Sequence, residues 1–90
     1  MKAQVGMKVM GHHGTCIGVI VTEQKYFGEV IKVNKKSFKV QLNEVVVTEK
    51  RKEKVRYKTA TVATYTYWKT LSDGREVYTS PSRIYGIIEL

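Results

Sequence analysis

Apolar and polar residues alternate along most of this chain with the period of two that marks a half-buried strand. The longer helical period is hard to find anywhere. Phe38, Val40 and Leu42 fall on one side of a strand, with Lys39 and Gln41 on the other. Val45 to Thr48 carry that strand onward through a bend at Asn43-Glu44. Upstream, Thr15 to Thr22 is a β-branched run, with Gly18 expected as a bulge or close-packing point. Tyr26 to Val33 reads as a second strand, and Asn34-Lys35-Lys36-Ser37 as the turn that follows it.

The second half continues the pattern. Lys50-Arg51-Lys52-Glu53 reads as an exposed hairpin tip, and Val55 to Trp68 as the longest strand. Val55, Tyr57, Thr59, Thr61, Ala63, Tyr65 and Tyr67 share one side of it, which is expected to face largely inward. Ser72-Asp73-Gly74-Arg75 contains Asp-Gly, the strongest short hairpin signal, and Glu76 to Thr79 returns from it. Pro81 ends that strand, and Ile84 to Leu90 forms the last one. At the opposite end, Val5 to Met10 permits a short strand, and Gly11-His12-His13-Gly14 is expected to be a flexible loop. Five or six strands with tight turns in 90 residues indicate a small barrel or sandwich, organised as one domain over residues 1–90.

Cysteine usage narrows the chemistry. Cys16 is the only cysteine, so an internal disulfide and a two-cysteine metal knuckle are both excluded. A lone thiol fits a reducing compartment, and residues 1–10 carry no continuous apolar run of the kind a signal peptide needs. No stretch approaches the ~20 apolar residues of a membrane-spanning helix. The expectation is a cytoplasmic protein with no membrane partner.

Charge changes the picture most. Sixteen Lys and Arg against eight Asp and Glu give +8, a field that attracts polyanions and speeds encounter with them. The segment from Lys32 to Lys58 holds ten basic and three acidic residues, so it carries +7 of that total.

Gly28 to Leu42, GEVIKVNKKSFKVQL, resembles the core hairpin of SH3-like barrels of the KOW and Tudor sort. There a glycine precedes an alternating strand, a polar turn follows, and a second alternating strand returns. Leu71 to Val77, LSDGREV, is similar to the tail hairpin of small barrel proteins of phages and mobile elements of Gram-positive bacteria. The resemblance implies an all-β, SH3-like barrel of five to six antiparallel strands. Members of such barrels bind RNA, DNA, or ribosomal and polymerase surfaces, and others bind peptides, so the fold leaves function open.

Three constellations carry candidate chemistry. The first is basic: if the strands around residues 30–42 and 45–62 pair, Lys32, Lys39, Arg56 and Lys58 share a face, with Lys35, Lys36, Lys50, Arg51 and Lys52 at the hairpin ends. A polyanion backbone needs such an array, because each neutralised phosphate releases counterions. Lysines that keep exposed strands from aggregating would look the same. The second is aromatic: bases stack on exposed rings, and Trp68, with Lys69 and Arg75 as further cations, is the best surface candidate. Most of the tyrosines are expected in the core. The third is His12-His13-x-x-Cys16, whose residue types ligate zinc. Adjacent histidines on an extended chain point to opposite sides and no fourth ligand is in view, so no metal site is expected. Cys16, opening a β-branched run, reads as a small buried hydrophobe rather than a nucleophile served by His12 or His13, and no cofactor or catalytic site is expected.

The sequence therefore predicts a non-enzymatic module that binds nucleic acid, RNA or DNA, largely through phosphate contacts. Docking on an acidic protein surface is the alternative, and a structural subunit of a homo-oligomer the third.

Overall fold

A computed structural model describes residues 2–17, 20–49, 54–81 and 84–90, with the side chains of residues 15–17, 20, 21 and 49 outside the description. Seven strands run as β1 (Lys8–Ile17), β2 (Ile20–Val33), β3 (Ser37–Glu49), β4 (Lys54–Lys58), β5 (Val62–Thr70), β6 (Glu76–Thr79) and β7 (Ile87–Glu89). Their order is β2-β1-β7-β6-β5-β3-β4, and β2 also pairs with β3. Six strands thus close an antiparallel barrel, and β4 lies outside the ring. The all-β small barrel expected from the sequence is the architecture found. No helix long and apolar enough to cross a membrane occurs among the described residues.

Four local expectations need correction. The β-branched run from Thr15 to Thr22 is not one strand: Ile17 pairs with Ile20, so β1 and β2 form a hairpin whose connecting residues, Gly18 included, fall outside the described ones. Gly11-His12-His13-Gly14 is not a loop but the middle of β1, paired residue by residue with Glu23 to Tyr26. The long strand expected over Val55 to Trp68 is broken at Thr59–Thr61. Both halves line the same edge of β3, and the break stays tethered by Thr59 N–H to Asn43 O (3.2 Å) and Leu42 N–H to Thr61 O (2.8 Å). The last strand spans only Ile87–Glu89, because Ile84 and Tyr85 form a turn ahead of it.

Alternation builds the interior. Val30, Phe38, Val40, Leu42, Ala63, Tyr65, Tyr78 and Ile88 are essentially sealed from solvent. Phe38 stacks on Tyr65 at 5.8 Å and meets Tyr78 edge-on at 4.9 Å, geometries that aromatic quadrupoles favour. Residues 2–7 cap one end: Ala3 joins the core, and Gly6 N–H and Met7 O bond to Val30 on either side (2.9 Å each).

β2 and β3 continue past this core. Beyond a register shift at Phe27/Gly28 they extend with β1 and β4 into a four-stranded sheet. The inward side of the long β4–β5 segment is therefore only half inward. Ala63 and Tyr65 are buried as expected, whereas Val55 and Tyr57 stand 45% and 55% exposed because the barrel stops short of them.

The buried phenols give the fold an alkaline limit. Burial, then the hydrogen bond to Glu76, pushes Tyr78 up to about 12, and burial raises Tyr65 and Tyr26 as well. The folded state prefers the neutral phenol at each, so their contribution is intact below the unfolded value near 10.0 and is lost at higher pH, for Tyr78 as pH rises through about 12. Melting temperature should be flat from neutral pH to the onset of tyrosine ionisation and then fall. Absorbance of the phenolate should rise in step with unfolding; full ionisation in a still-folded barrel would refute the assignment.

Candidate nucleic-acid interface

Successive residues of a strand point to opposite sides, and directly paired residues share a side. Inward Val40 and Val46's inward neighbour Val45 fix the sense on β3, so Lys39, Gln41, Glu44, Val46 and Thr48 face out. Their partners place Lys25 and Lys32 of β2 and Lys54, Arg56 and Lys58 of β4 on that same outer side. Glu23, Glu29 and Glu44 lie among them, leaving six basic against three acidic residues. From Lys39 to Thr48 the stripe runs roughly 30 Å at ~3.3 Å per residue. Val46, apolar on this outer face, is nonetheless buried between its partners Lys25 and Arg56, whose long stems can shield it.

The expected site residues divide by position. Lys32, Lys39, Arg56 and Lys58 share the outer face as the pairing of their strands requires. Lys32 sits directly opposite Lys39. Arg56 is bound to Glu44 at 2.6 Å, and Lys32, Lys39 and Lys58 make no ion pair among the described residues. Lys35 and Lys36 lie in the β2–β3 turn at the barrel's end, beside a small recess shared with Tyr67, Glu76 and Tyr78. Lys50, Arg51 and Lys52 lie outside the described residues. Arg75 is held by Asp73 (2.6 Å) and Glu89 (2.8 Å), so two carboxylates already answer its charge. Hydrogen bonds from Arg75, backbone first and then guanidinium, hold Asp73 below the usual carboxylate range.

Trp68 is 53% exposed, at a register shift of β5 between Tyr67 and Lys69. Such a bulge re-aims a side chain. Here it brings the Lys69 ammonium to 4.3 Å from the centre of the Trp68 ring, although simple alternation places the two on opposite faces. Trp68 also lines a cleft of about 440 Å³ with His12, His13, Gly14, Thr79, Gly86 and Ile87.

Lys25, Lys54 and the cleft were not among the residues expected from the sequence, and His12 was considered there only as a candidate zinc ligand or partner to Cys16. His12 was assigned to a loop and Lys25 to the gap before a strand starting at Tyr26; extending β2 upstream finds Lys25, and extending β1 through Gly11-His12-His13-Gly14 finds His12. Barrel closure then sets them in one outer row of directly paired residues: Thr79, Ile87, His12, Lys25, Val46, Arg56. At ~4.8 Å per strand, about 20 Å separate Ile87 at the cleft from Arg56 on the basic stripe.

His12 and His13 are neighbours on a strand, and no group of three or more His, Cys, Asp or Glu able to hold a metal occurs among the described residues. The Cys16 side chain lies outside them. No protein-family model matches this chain, and neither the curated proteins nor the solved structures yield a match.

Proposed function

We propose that this barrel binds single-stranded nucleic acid, with phosphates on the outer face of β2, β3 and β4 and a base against Trp68 in the adjoining cleft. The observation that carries the reading is the paired row from Ile87 through His12 and Lys25 to Arg56. It links a cleft lined by an exposed indole to a stripe of cations. A groove that tracks the backbone plus a ring on which a base stacks is the usual equipment for binding single strands without strong sequence preference. The resemblance of Gly28 to Leu42 to KOW and Tudor hairpins supports the same reading.

Lys32 opposite Lys39 supports it further. Like charges paired directly across a ladder destabilise it, so the pair works against the fold unless something negative sits over it. Lys32→Glu is thus expected to raise stability by about 0.2–1 kcal/mol while weakening binding to a single-stranded oligonucleotide. Thermal melts and fluorescence anisotropy on the same preparation check both signs. Affinity unchanged by the substitution would remove the pair from the interface.

Trp68 is the chain's one tryptophan, so its emission reports the cleft directly. Titration with a single strand should quench it. Trp68→Ala should cost on the order of 10-fold in affinity, within the ~1–3 kcal/mol of one stacked base, and leave the salt dependence intact. Loss of salt dependence instead would show that the ring positions Lys69 rather than a base.

A further inference from the structure

We propose that the free edge of β4 is a docking edge for an extended polypeptide segment in which acidic and apolar residues alternate, taken up by strand addition. This goes beyond nucleic-acid binding and does not depend on it.

Closing a sheet into a barrel removes its edges. β4 restores one: it stands last in the strand order, pairs with β3 over Glu44–Thr48, and no strand pairs with its far edge among the described residues. All five of its residues are exposed. Its two sides differ in kind. Val55 and Tyr57 lie on the side of Val45 and Val47, which continues outward from the core at Tyr26. Lys54, Arg56 and Lys58 lie on the other.

Charge on an edge strand normally serves to repel strangers. Two observations point past that role. Val55 and Tyr57 are among the more exposed large apolar residues of the protein, 45% and 55%, and a purely protective edge gains nothing from them. The three cations sit on one side only, Arg56 engaged by Glu44 and Lys54 and Lys58 in no ion pair among the described residues, so they select a partner by charge instead of rejecting all partners. A second copy aligned on the same edge would set cation against cation, and like charges directly opposite are unfavourable. A strand with carboxylates at alternate positions would face Lys54, Arg56 and Lys58, and its intervening apolar residues would cover Val55 and Tyr57. Main-chain bonds supply the affinity in such additions, and alternate side chains supply the choice. The pattern acidic–apolar–acidic–apolar–acidic is the same in both directions, so either strand polarity satisfies it.

The test uses a blocked, labelled peptide of about seven residues alternating Val and Glu, long enough to span a five-residue edge. Its control has identical composition with the valines and glutamates in two blocks. Attraction to a basic surface treats the two alike; strand addition does not. The alternating peptide is expected to bind at least about tenfold more tightly in anisotropy and to slow amide exchange across residues 54–58. Val55→Thr with Tyr57→Thr is expected to erase that preference. Because β4 lies outside the closed ring, the melting transition of this double variant should stay near that of the parent. Its loss would be handled by the exchange measurement on the unsubstituted protein, which decides alone. Equal binding of the two peptides, no binding, or binding without protection of β4 would each overturn the proposal. Protection of β4 that appears without peptide and grows with protein concentration would assign the edge to a second copy and overturn it too.

Discussion

Gly86→Ala is expected to lower the melting temperature by roughly 12–40 °C, against about 4–16 °C for Gly74→Ala, at the 4–8 °C per kcal/mol usual for a domain of this size. Both glycines have φ in the left-handed region, +77 and +90. An alanine there costs ~1–2 kcal/mol from its Cβ alone. The two sites part company in their surroundings. A Cβ at Gly74 meets nothing within 4 Å, whereas one at Gly86 would lie 2.1 Å from the His12 carbonyl oxygen and 2.4 Å from its carbon. Both obstacles are backbone, so no side chain can rotate away, and β1 and β7 must separate. They have little in reserve, because His12–Ile87 is the one pair their ladder contains among the described residues. Nearby, Tyr65 donates to the Tyr85 carbonyl at 2.7 Å, a contact that the same displacement would strain. An added loss of about 2–3 kcal/mol at Gly86 is a large share of the 5–15 kcal/mol that holds a typical domain folded. Equal melting temperatures for the two variants would mean that the β1–β7 seam relaxes freely and does not close the barrel.

That seam also marks where the sequence stopped being readable. Local signals were sound wherever one element explained them: the Asp73-Gly74 turn, the alternation of Phe38, Val40 and Leu42, the bend at Asn43-Glu44, the end of a strand before Pro81. The errors arose where two elements share one pattern. Residues 15–22 stay β-branched on both sides of a hairpin, so the reversal leaves no trace in the period. Val55, Tyr57, Thr59, Thr61, Ala63 and Tyr65 alternate smoothly through a break, and nothing local reveals that the barrel ends before Tyr57. Gly11-His12-His13-Gly14 has poor strand propensity, yet Gly11 is in β1 where a Cβ would lie 2.7 Å from the Tyr85 carbonyl and 2.8 Å from the Tyr65 hydroxyl. That requirement is set by residues more than fifty positions away. The basic face needed only the neighbouring β2, β3 and β4 and was largely foreseen. The cleft needed β1 against β7, a pairing between the chain's two ends, and was not.

Reversing charge at Lys32, Lys39 and Lys58 together is expected to lower affinity for a single-stranded oligonucleotide on the order of 10² and to reduce its log–log salt slope by about 2, three contacts at ~0.7 each. The slope is the more diagnostic number. Six cations on the outer face set a ceiling of about 4 for single strands, so the variant should retain roughly half of the parent's salt dependence. None of the three lysines is in an ion pair among the described residues, and reversing both Lys32 and Lys39 exchanges one exposed like-charge pair for another, so that step of the ladder carries about the strain it had. The fold should therefore survive, which a melt on the same sample verifies. Arg75→Glu is the matched control. It too reverses an exposed positive charge, one against three, but that guanidinium is already engaged by Asp73 and Glu89 and lies off the face. Its cost should fall on the turn it braces, with the slope left as it was. If Arg75→Glu flattens the salt dependence by about a third as much as the triple variant does, as one reversal against three requires, binding follows net charge alone, and the outer face of β2, β3 and β4 has no special claim to the phosphates.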